Sequence, residues 1–380
     1  MTKDMTEGAI PHLLVGFTIP LVLGNLFQLL YNAVDSMIVG KFVGETALAA
    51  VGTSSPLMTL AILFISGMCM GAGVLMGMHY GAKDYDVLER QISSIMIGGL
   101  MFSVLLSAVC VFLTPWMLRL IRTQEEVLPI ATGYLRIIFC GLIFTFIYNF
   151  YASTLRALGD SRSPLYFLMI SAALNVAGDL FFVVVLGWGS NGCAFSTVLS
   201  EALCCLLCGL YIKKKVKILC LGRKWRVFDR RLFYKTVQFG WVSAMQQATV
   251  QLGKIGIQAI VNTMGISVMA AFAVVNRIDD FAYTPEQNIA HAMTALLAQN
   301  KGAGKKERIR EGFRCGLWIE MIYALFICVV CFVFARPLMK LFVTDEEVIS
   351  LGVIYLHAIA AMYFPVSYTH LRAHETSLHL

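Results

Sequence analysis

Four polar side chains lie along the first long apolar segment of the chain, at Asn25, Gln28, Asn32 and Asp35. Their spacings of three, four and three residues place all four on one face of an α-helix. The rest of that helix is apolar, which is the reverse of the pattern on a helix at the surface of a soluble protein. Two interpretations follow. The stripe either makes polar contacts between helices, or it lines a water-filled cavity in which Asp35 binds a proton or another cation.

Two later pairs of polar residues have helical spacing as well. Asn175 and Asp179 are four residues apart, as are Thr197 and Glu201, so each pair shares one helix face. If these helices pack around the first, then Asp35, Asn175, Asp179 and Thr197 form one buried cluster. Two close carboxyl groups in a medium of low dielectric constant cannot both be ionised without a large cost in free energy. The cluster is therefore expected either to take up and release a proton, or trade it for Na⁺, or to form a static hydrogen-bonded plug.

A second polar stripe occurs in the other half of the chain. Gln247, Gln251 and Lys254 share a face of one helix, and Asp279 and Asp280 lie in the next. Lys254 is expected either to contact a substrate or to neutralise one of these carboxylates in a structural ion pair. The predicted lining of a substrate cavity combines both stripes: Asn25, Gln28, Asn32, Gln247, Gln251, Lys254, Asp279 and Asp280.

The elements that must hold these residues are membrane-spanning helices. Of the 380 residues, 58% are hydrophobic and 14% charged, and the mean hydropathy is +0.74, whereas a soluble domain has about 25% charged residues. An all-α polytopic membrane protein is therefore predicted. Pro20 lies inside the first segment and is a candidate hinge, because proline removes a helical hydrogen bond. Ten hydrophobic segments are present: 13–39, 47–78, 91–119, 127–156, 163–187, 191–212, 232–262, 266–299, 310–335 and 347–364.

Lysine and arginine concentrate in the N-terminus and in the loops after even-numbered segments, above all in the linker 213–231. The positive-inside rule places these regions and the N-terminus in the cytoplasm. Basic residues in such loops are explained by the lipid bilayer, so no nucleic-acid partner is expected. The cysteines lie mostly in apolar stretches and are predicted to be packing residues. Without metal-ligand spacing, a nucleophile–base pair or a phosphate-binding loop, no catalytic residue, no cofactor and no enzyme activity are expected.

The two halves of the chain repeat at a constant offset, which maps Gly44 to Gly265 and Tyr134 to Tyr355. Because each full repeat has an even number of spans, the repeats are parallel, an arrangement typical of transporters with a site between the halves. The prediction is two six-helix lobes with about ten of twelve helices present. The expected boundaries are an N-terminal lobe at 1–212, a C-terminal lobe with four helices at 232–365, and a non-native polar tail at 366–380.

Several stretches resemble a known family: IPLVLGNLFQLLYNAVDSMIVGKFVGETALAAVG, the GAKDYD and GAGKKER loops, RALGDSRSP and LNVAGDLFF. They are similar to the multidrug and toxic compound extrusion (MATE) transporters, and within them to the DinF-like bacterial branch of this MOP-type fold. The resemblance implies twelve helices, alternating access, and efflux of drug-like, often cationic compounds in exchange for H⁺ or Na⁺. It also implies a cation site at Asp35, Asn175, Asp179 and Thr197, with no metal beyond Na⁺ at Asp35 and Asp179.

The predicted function is thus a secondary active multidrug antiporter, a monomer in the bacterial inner membrane that acts on small molecules. One alternative is a flippase for lipid-linked precursors, which would be expected to have a more cationic cavity than this acidic cluster. The other is a membrane-embedded enzyme, for which the sequence offers no catalytic arrangement.

Overall fold

The computed structural model describes residues 4–216, 227–261 and 263–379, and all regular elements in these ranges are helical. Helix α6 continues directly into a π-helical segment, Leu180–Val185. The twelve α-helices are α1 (Ile10–Phe42), α2 (Glu45–Gly81), α3 (Tyr85–Leu120), α4 (Leu128–Cys140), α5 (Leu142–Ala157), α6 (Arg162–Asp179), α7 (Gly189–Lys215), α8 (Arg230–Val261), α9 (Ile266–Gly302), α10 (Lys306–Val333), α11 (Ala335–Lys340) and α12 (Glu346–His379).

Most of these helices are long and apolar enough to cross a membrane. Among the described residues seven helices qualify, and α4 with α5 makes an eighth span if this pair, bent by 44°, is counted as one. The two remaining long helices, α8 and α9, carry the second polar stripe, which lowers their hydropathy. Each of the ten predicted segments falls on one of these helices or on the bent pair, which confirms the all-α polytopic prediction.

The repeat is visible in the backbone as well as in the sequence. Helices α2 and α9 both have 37 residues and both follow a glycine with positive φ, Gly44 at 114° and Gly265 at 105°. Glycine is favoured there because it has no Cβ to clash in that conformation. The turns after both helices also contain a residue with positive φ at equivalent positions, Lys83 at 58° and Gly304 at 70°. The offset found in the sequence therefore relates equivalent helix starts and turns.

One difference between the repeats is the break at Gly141, between α4 and α5. A Cβ at this position would lie 2.5 Å from Cγ2 of Val198 on α7, so the close approach of α7 requires glycine. The equivalent position in the second repeat is Met362, and α12 runs through it without a break. The first repeat thus divides one span into two short helices where the second has a single helix.

The chain forms two compact units whose boundaries differ from those of the predicted lobes. The first unit consists mainly of residues 23–248, and the second combines residues 5–22 with those from 249 onward. Helix α1 therefore begins in the second unit and continues in the first unit from Leu23, just after Pro20. Helix α8 begins in the first unit and continues in the second unit from Thr249. Sequence order alone assigns each helix to one lobe, because it contains no information about this exchange.

In the first unit, α8 packs closely on α2 through small residues. A Cβ at Gly67 would lie 2.6 Å from Cα of Ala244, and one at Gly71 would lie 2.5 Å from the carbonyl oxygen of Phe239. Gly240 of α8 completes the set, because its own Cβ would lie 2.9 Å from the carbonyl oxygen of Met68. Small residues four apart allow two helix backbones to approach in this way.

In the second unit, the residues that lead into α1 are held by the turn between α9 and α10. We call residues 5–9 the N-terminal strap. Gln299 accepts a hydrogen bond from the backbone N–H of Met5 at 2.9 Å, and Asn300 donates to its carbonyl oxygen at 3.1 Å. Lys305 donates to the carbonyl oxygen of Thr6 at 2.9 Å. The start of α1 is thereby fixed to the second unit.

Two predicted boundary regions are only partly described. The basic linker was placed at 213–231, but α7 extends to Lys215 and α8 begins at Arg230, so the helices take up both ends of it. Its central part, 217–226, lies outside the described residues. The backbone of the predicted tail continues α12 to His379, and the side chains of that stretch lie outside the described ones.

Candidate functional site

The first acidic cluster lies in the first unit, where α1, α6 and α7 meet. One ligand atom from each of Asp35, Asp179 and Cys193 lies within 4.8 Å of the other two. The two acids, which are far apart in the sequence, are therefore neighbours in space.

Helix α7 completes the cluster with hydroxyl and thiol groups. Asn175 donates from Nδ2 to Oγ1 of Thr197 at 3.2 Å, and Ser196 donates to the carbonyl oxygen of Asn175 at 2.8 Å. Cys193 donates from its thiol to Oδ2 of Asp179 at 3.6 Å. The structure thus brings together all four residues predicted for the cation site and adds Ser196 and Cys193 to them.

Local backbone features explain how α6 and α7 come so close at this point. A Cβ at Gly178 would lie 2.4 Å from Oγ of Ser196, so glycine is needed beside Asp179. The α-helical hydrogen bonding ends at Asp179, and a π-helical turn follows at once. Such turns often occur at functional sites. Asp179 is fully buried and Asn175 is 2% exposed, while Asp35 is half-buried.

Three oxygen atoms in this cluster have no hydrogen-bond partner among the described residues. They are Oδ1 of Asp35, Oδ1 of Asn175 and Oδ1 of Asp179, and all three are buried. Buried polar atoms are normally paired, and an unpaired one costs about 1–3 kcal/mol. All three are acceptors, so a proton or a hard cation such as Na⁺ would satisfy them. The arrangement can therefore bind and release a small cation between two carboxyl groups.

The first polar stripe leads toward this cluster along α1. Asn25 is half-buried, whereas Gln28 and Asn32 are exposed in the isolated chain. Asn25 and Asp35 are thus both half-buried, and two exposed amide side chains lie between them on the stripe. This arrangement agrees with a polar path to the acidic cluster, and contact of the stripe with a substrate stays a prediction.

The second stripe forms a pair of polar contacts in the second unit. Lys254 lies 3.4 Å from Asp280, as expected for an ion pair, with both side chains about half exposed. Tyr363 donates to Oδ1 of Asp279 at 2.8 Å. Because both side chains are half exposed, Lys254 stays accessible. Exposed ion pairs of this kind contribute little to stability. Gln247 and Gln251 are half-buried, and the substrate cavity shared by both stripes stays a prediction.

The structure draws attention to two acidic side chains and one cysteine that the predicted cation site did not include. Glu201 lies on α7, the helix that carries Thr197, and accepts a hydrogen bond from Thr145 at 2.7 Å. Glu320 is completely buried in α10. Cys193 was expected to be a packing residue, because no acidic residue is near it in sequence. The acid in the middle of the apolar segment 310–335 is the signal that identifies Glu320 from the sequence, whereas none identifies Cys193.

The chain can now be compared with known proteins. The family model MatE matches residues 20–181 and 243–373. The probable multidrug resistance protein YpnP of Bacillus subtilis is 31% identical over 362 residues, which cover 95% of this chain and 80% of that protein. The probable multidrug resistance protein YoeA of the same organism is 30% identical over 345 residues, with 88% and 74% covered.

Solved structures agree on the fold. The crystal structure of MATE in the bent conformation superposes with a TM-score of 0.90 at 20% identity, covering 98% of this chain and 85% of the other. The curated relatives are named for drug resistance and not for a catalysed reaction, in agreement with the prediction that the chain is not an enzyme. The family model covers more than half of the chain, and both relatives match over most of their length. The chain therefore belongs to the MatE family, the multidrug and toxic compound extrusion proteins that its motifs resemble.

Proposed function

We propose that this protein is a secondary active multidrug antiporter, which exports drug-like and often cationic compounds in exchange for H⁺ or Na⁺. The observation that carries the proposal is the group of three unpartnered, buried oxygen atoms of Asp35, Asn175 and Asp179. The family assignment and the names of the two relatives support multidrug efflux. The acidic character of the cluster favours a cation over the pyrophosphate of a lipid-linked precursor.

Coupling follows from competition between the cation and the substrate. When a proton or Na⁺ occupies Asp35 and Asp179, the cluster is neutralised and its electrostatic attraction for a cationic substrate falls. When the cation leaves, the two carboxylates repel one another and attract the substrate instead. Each ligand therefore lowers the affinity for the other by the same factor, as linkage requires. Downhill entry of the cation then expels the substrate.

Alternating access needs an element that changes shape, and α1 has the required features. It carries Asp35 in the first unit, while its start belongs to the second unit. Pro20 lies two residues before the boundary between the units, and proline weakens a helix by removing one backbone hydrogen bond. In this proposal α1 bends at Pro20 when the charge of Asp35 changes. The protein acts as a monomer in the bacterial inner membrane, with its N-terminus in the cytoplasm.

The test is ethidium efflux from a bacterium that lacks its own multidrug pumps. The proton gradient and the Na⁺ gradient are collapsed separately, and the gradient whose loss stops efflux identifies the coupling ion. Asp35→Asn keeps the shape of the side chain but cannot bind an exchangeable proton. We expect this variant to reach the membrane at the normal level and to lose gradient-driven efflux.

A matched control is Glu45→Gln, which removes one exposed carboxylate from the first turn of α2. This variant should export ethidium at the rate of the unchanged protein. Normal gradient-driven efflux by Asp35→Asn would refute the role given to the cluster. Absence of ethidium efflux from the unchanged protein, when it is present in the membrane, would refute broad drug export and favour a narrow substrate or lipid flipping.

A further inference from the structure

A second group of acidic side chains lies in the second unit. Glu320 of α10 is 0% exposed and Glu286 of α9 is 2% exposed. The two helices that carry them, α9 and α10, pack against each other. Both carboxyl oxygens of Glu320 are buried and have no hydrogen-bond partner among the described residues. An ionised carboxylate in this position would cost several kcal/mol, because its charge would be neither hydrated nor paired.

Glu320 occupies the centre of a row of small residues. Four of the buried residues of α10 follow a spacing of four along one face: Gly312, Gly316, Glu320 and Ala324. The two glycines contact α9 closely, since a Cβ at Gly312 would lie 2.6 Å from Leu296 and one at Gly316 would lie 2.4 Å from Met293. The carboxyl group of Glu320 is therefore held in a tight helix–helix contact that has little room for water.

The fold itself does not require acids at these positions. At the offset that maps Gly44 to Gly265, Glu320 corresponds to Gly99 and Glu286 to Ile65. Phe146 packs where a Cβ of Gly99 would be, at 2.1 Å, and Ile65 is 1% exposed. The first unit thus has apolar residues at both equivalent positions. The fold therefore does not need the two acids of the second unit, and burying them lowers its stability.

A row of polar groups connects this pair with accessible residues. Asp279, Tyr283 and Glu286 are spaced four and three apart, so they share one face of α9. Asp279 and Tyr283 are half-buried, and exposure falls from them to Glu286 and then Glu320. Two titratable groups of the helices packed on α9 reach this part of it: Tyr323 of α10 donates to the carbonyl oxygen of Ala282, and Tyr363 of α12 donates to Asp279.

The backbone beside the pair is also weakened. Pro285 directly precedes Glu286 inside α9, so the carbonyl oxygen one turn earlier lacks its usual helical donor. Tyr323, three residues after Glu320 on α10, donates to the carbonyl oxygen of Ala282 at 2.9 Å. This turn of α9 can therefore open with a smaller loss of hydrogen bonding than an intact helix, which provides a route by which water reaches the glutamates.

We propose that Glu286 and Glu320 form a second proton-binding site, in the second unit, which exchanges its proton with water along the face of α9 that carries Asp279 and Tyr283. Glu320 holds a proton at neutral pH, because its ionised carboxylate would be neither hydrated nor paired. The ligand is a proton because the contact between α9 and α10 leaves no room for a hydrated cation. If the proposed antiport is correct, the pair adds a second exchangeable charge to it.

The proposal is tested on the purified full chain without substrate, so that its outcome does not depend on transport. Infrared difference spectra between about pH 6 and pH 9 report the C=O stretch of protonated carboxyl groups in a range where exposed glutamates, with a pKa of about 4.3, are ionised. Proton uptake is measured in parallel with a pH indicator. We expect Glu320→Gln to lose one titrating C=O band and about one proton per chain.

Three further variants make the result unambiguous. Glu311→Gln removes an exposed carboxyl group from the same helix and should leave the spectrum in this pH range unchanged. Glu286→Gln removes the other member of the pair, and it should lose or shift the same band even if Glu320→Gln does not fold. A wild-type spectrum and wild-type proton uptake in the folded glutamine variants would overturn the proposal, because the pair would then be permanently protonated. Asp35→Asn removes the contribution of the first unit and separates the two sites.

Discussion

Replacement of Gly71 by alanine tests the close packing of α2 on α8 in the first unit. The new Cβ would lie 2.5 Å from the carbonyl oxygen of Phe239 and 2.6 Å from Cα of Gly240. Both of these atoms belong to the backbone, so no side chain can rotate away to make room. An ordinary contact of this kind is about 3.5 Å. The two helices must therefore separate locally by up to about 1 Å.

The cost of this separation can be set against the gain from alanine. Overpacking of a tight contact costs about 1–3 kcal/mol, and alanine favours a helix over glycine by about 1 kcal/mol. In a unit of this size each kcal/mol changes the melting temperature by about 2–4 °C. The matched control is Gly52→Ala on the same helix, whose Cβ would have no heavy atom within 4 Å. Gly52→Ala therefore gains the higher helix propensity of alanine without the cost of overpacking.

The assay is thermal unfolding of the purified protein in detergent, followed by loss of the folded species. We expect Gly71→Ala to melt several degrees below Gly52→Ala, and Gly52→Ala to melt at or slightly above the temperature of the unchanged protein. The difference between the two melting temperatures cancels the gain in helix propensity, which both variants have, and leaves the cost of overpacking. Equal melting temperatures for both variants would refute the close α2–α8 contact and with it the assignment of the first half of α8 to the first unit.

Two other predictions concern the ends of helices outside the membrane-spanning segments. Asp160 accepts hydrogen bonds from the backbone N–H groups of Arg162 and Ser163 at the start of α6. Burial raises the pKa of Asp160, whereas its hydrogen bonds, those with Ser163 first, lower it, and the pKa lies below its ordinary value. Because the folded pKa is the lower one, this carboxylate stabilises the protein above about pH 4 and the stabilisation is lost as the pH falls through the folded pKa. Asp160→Asn should therefore melt below the unchanged protein at pH 7, with a difference that shrinks in acid; a constant difference across pH would contradict this. Arg308 donates to the carbonyl oxygen of Gly8 in the N-terminal strap at 3.0 Å, so Arg308→Ala should increase hydrogen exchange of residues 5–9 several-fold, whereas the exposed Arg310→Ala should not. Equal exchange in both arginine variants would show that the strap is not held by this contact.

Much of this fold follows from the sequence because membrane helices are specified by local properties. Length and hydropathy predict the spans, and the constant offset between the repeats predicts equivalent turns at Gly44 and Gly265. The spacing of polar residues on α1 and α6 predicts which faces carry Asp35 and Asp179. Helical periodicity requires only neighbouring residues, so these inferences need no knowledge of tertiary contacts.

Other features depend on contacts between distant parts of the chain and leave no local pattern. The exchange of helix segments between units rests on the Gly71 contact with α8 and on the strap contacts of Lys305, and neither is encoded by periodicity. Cys193 joins the acidic cluster only because Gly178 lets α6 and α7 approach. The π-helical turn after Asp179 also has no signature in the sequence. These features arise from packing, which a single sequence does not reveal.

The two acidic sites lie on helices that are not equivalent in the two repeats. In the first unit the acids lie on α1 and α6, and α7 supplies the hydroxyl groups bonded to Asn175 and the thiol bonded to Asp179. In the second unit the acids lie on α9 and α10, and the position equivalent to Asp35 is Gly256. Repeats that had kept identical chemistry would bind the same ion twice with the same affinity. Because the two sites differ in helix, depth and partners, they are expected to release their protons at different pH values. A titration that resolves two steps, one removed by Asp35→Asn and the other by Glu320→Gln, is therefore the direct consequence of this asymmetry, and a single step removed by either variant alone would mean that the two units titrate as one.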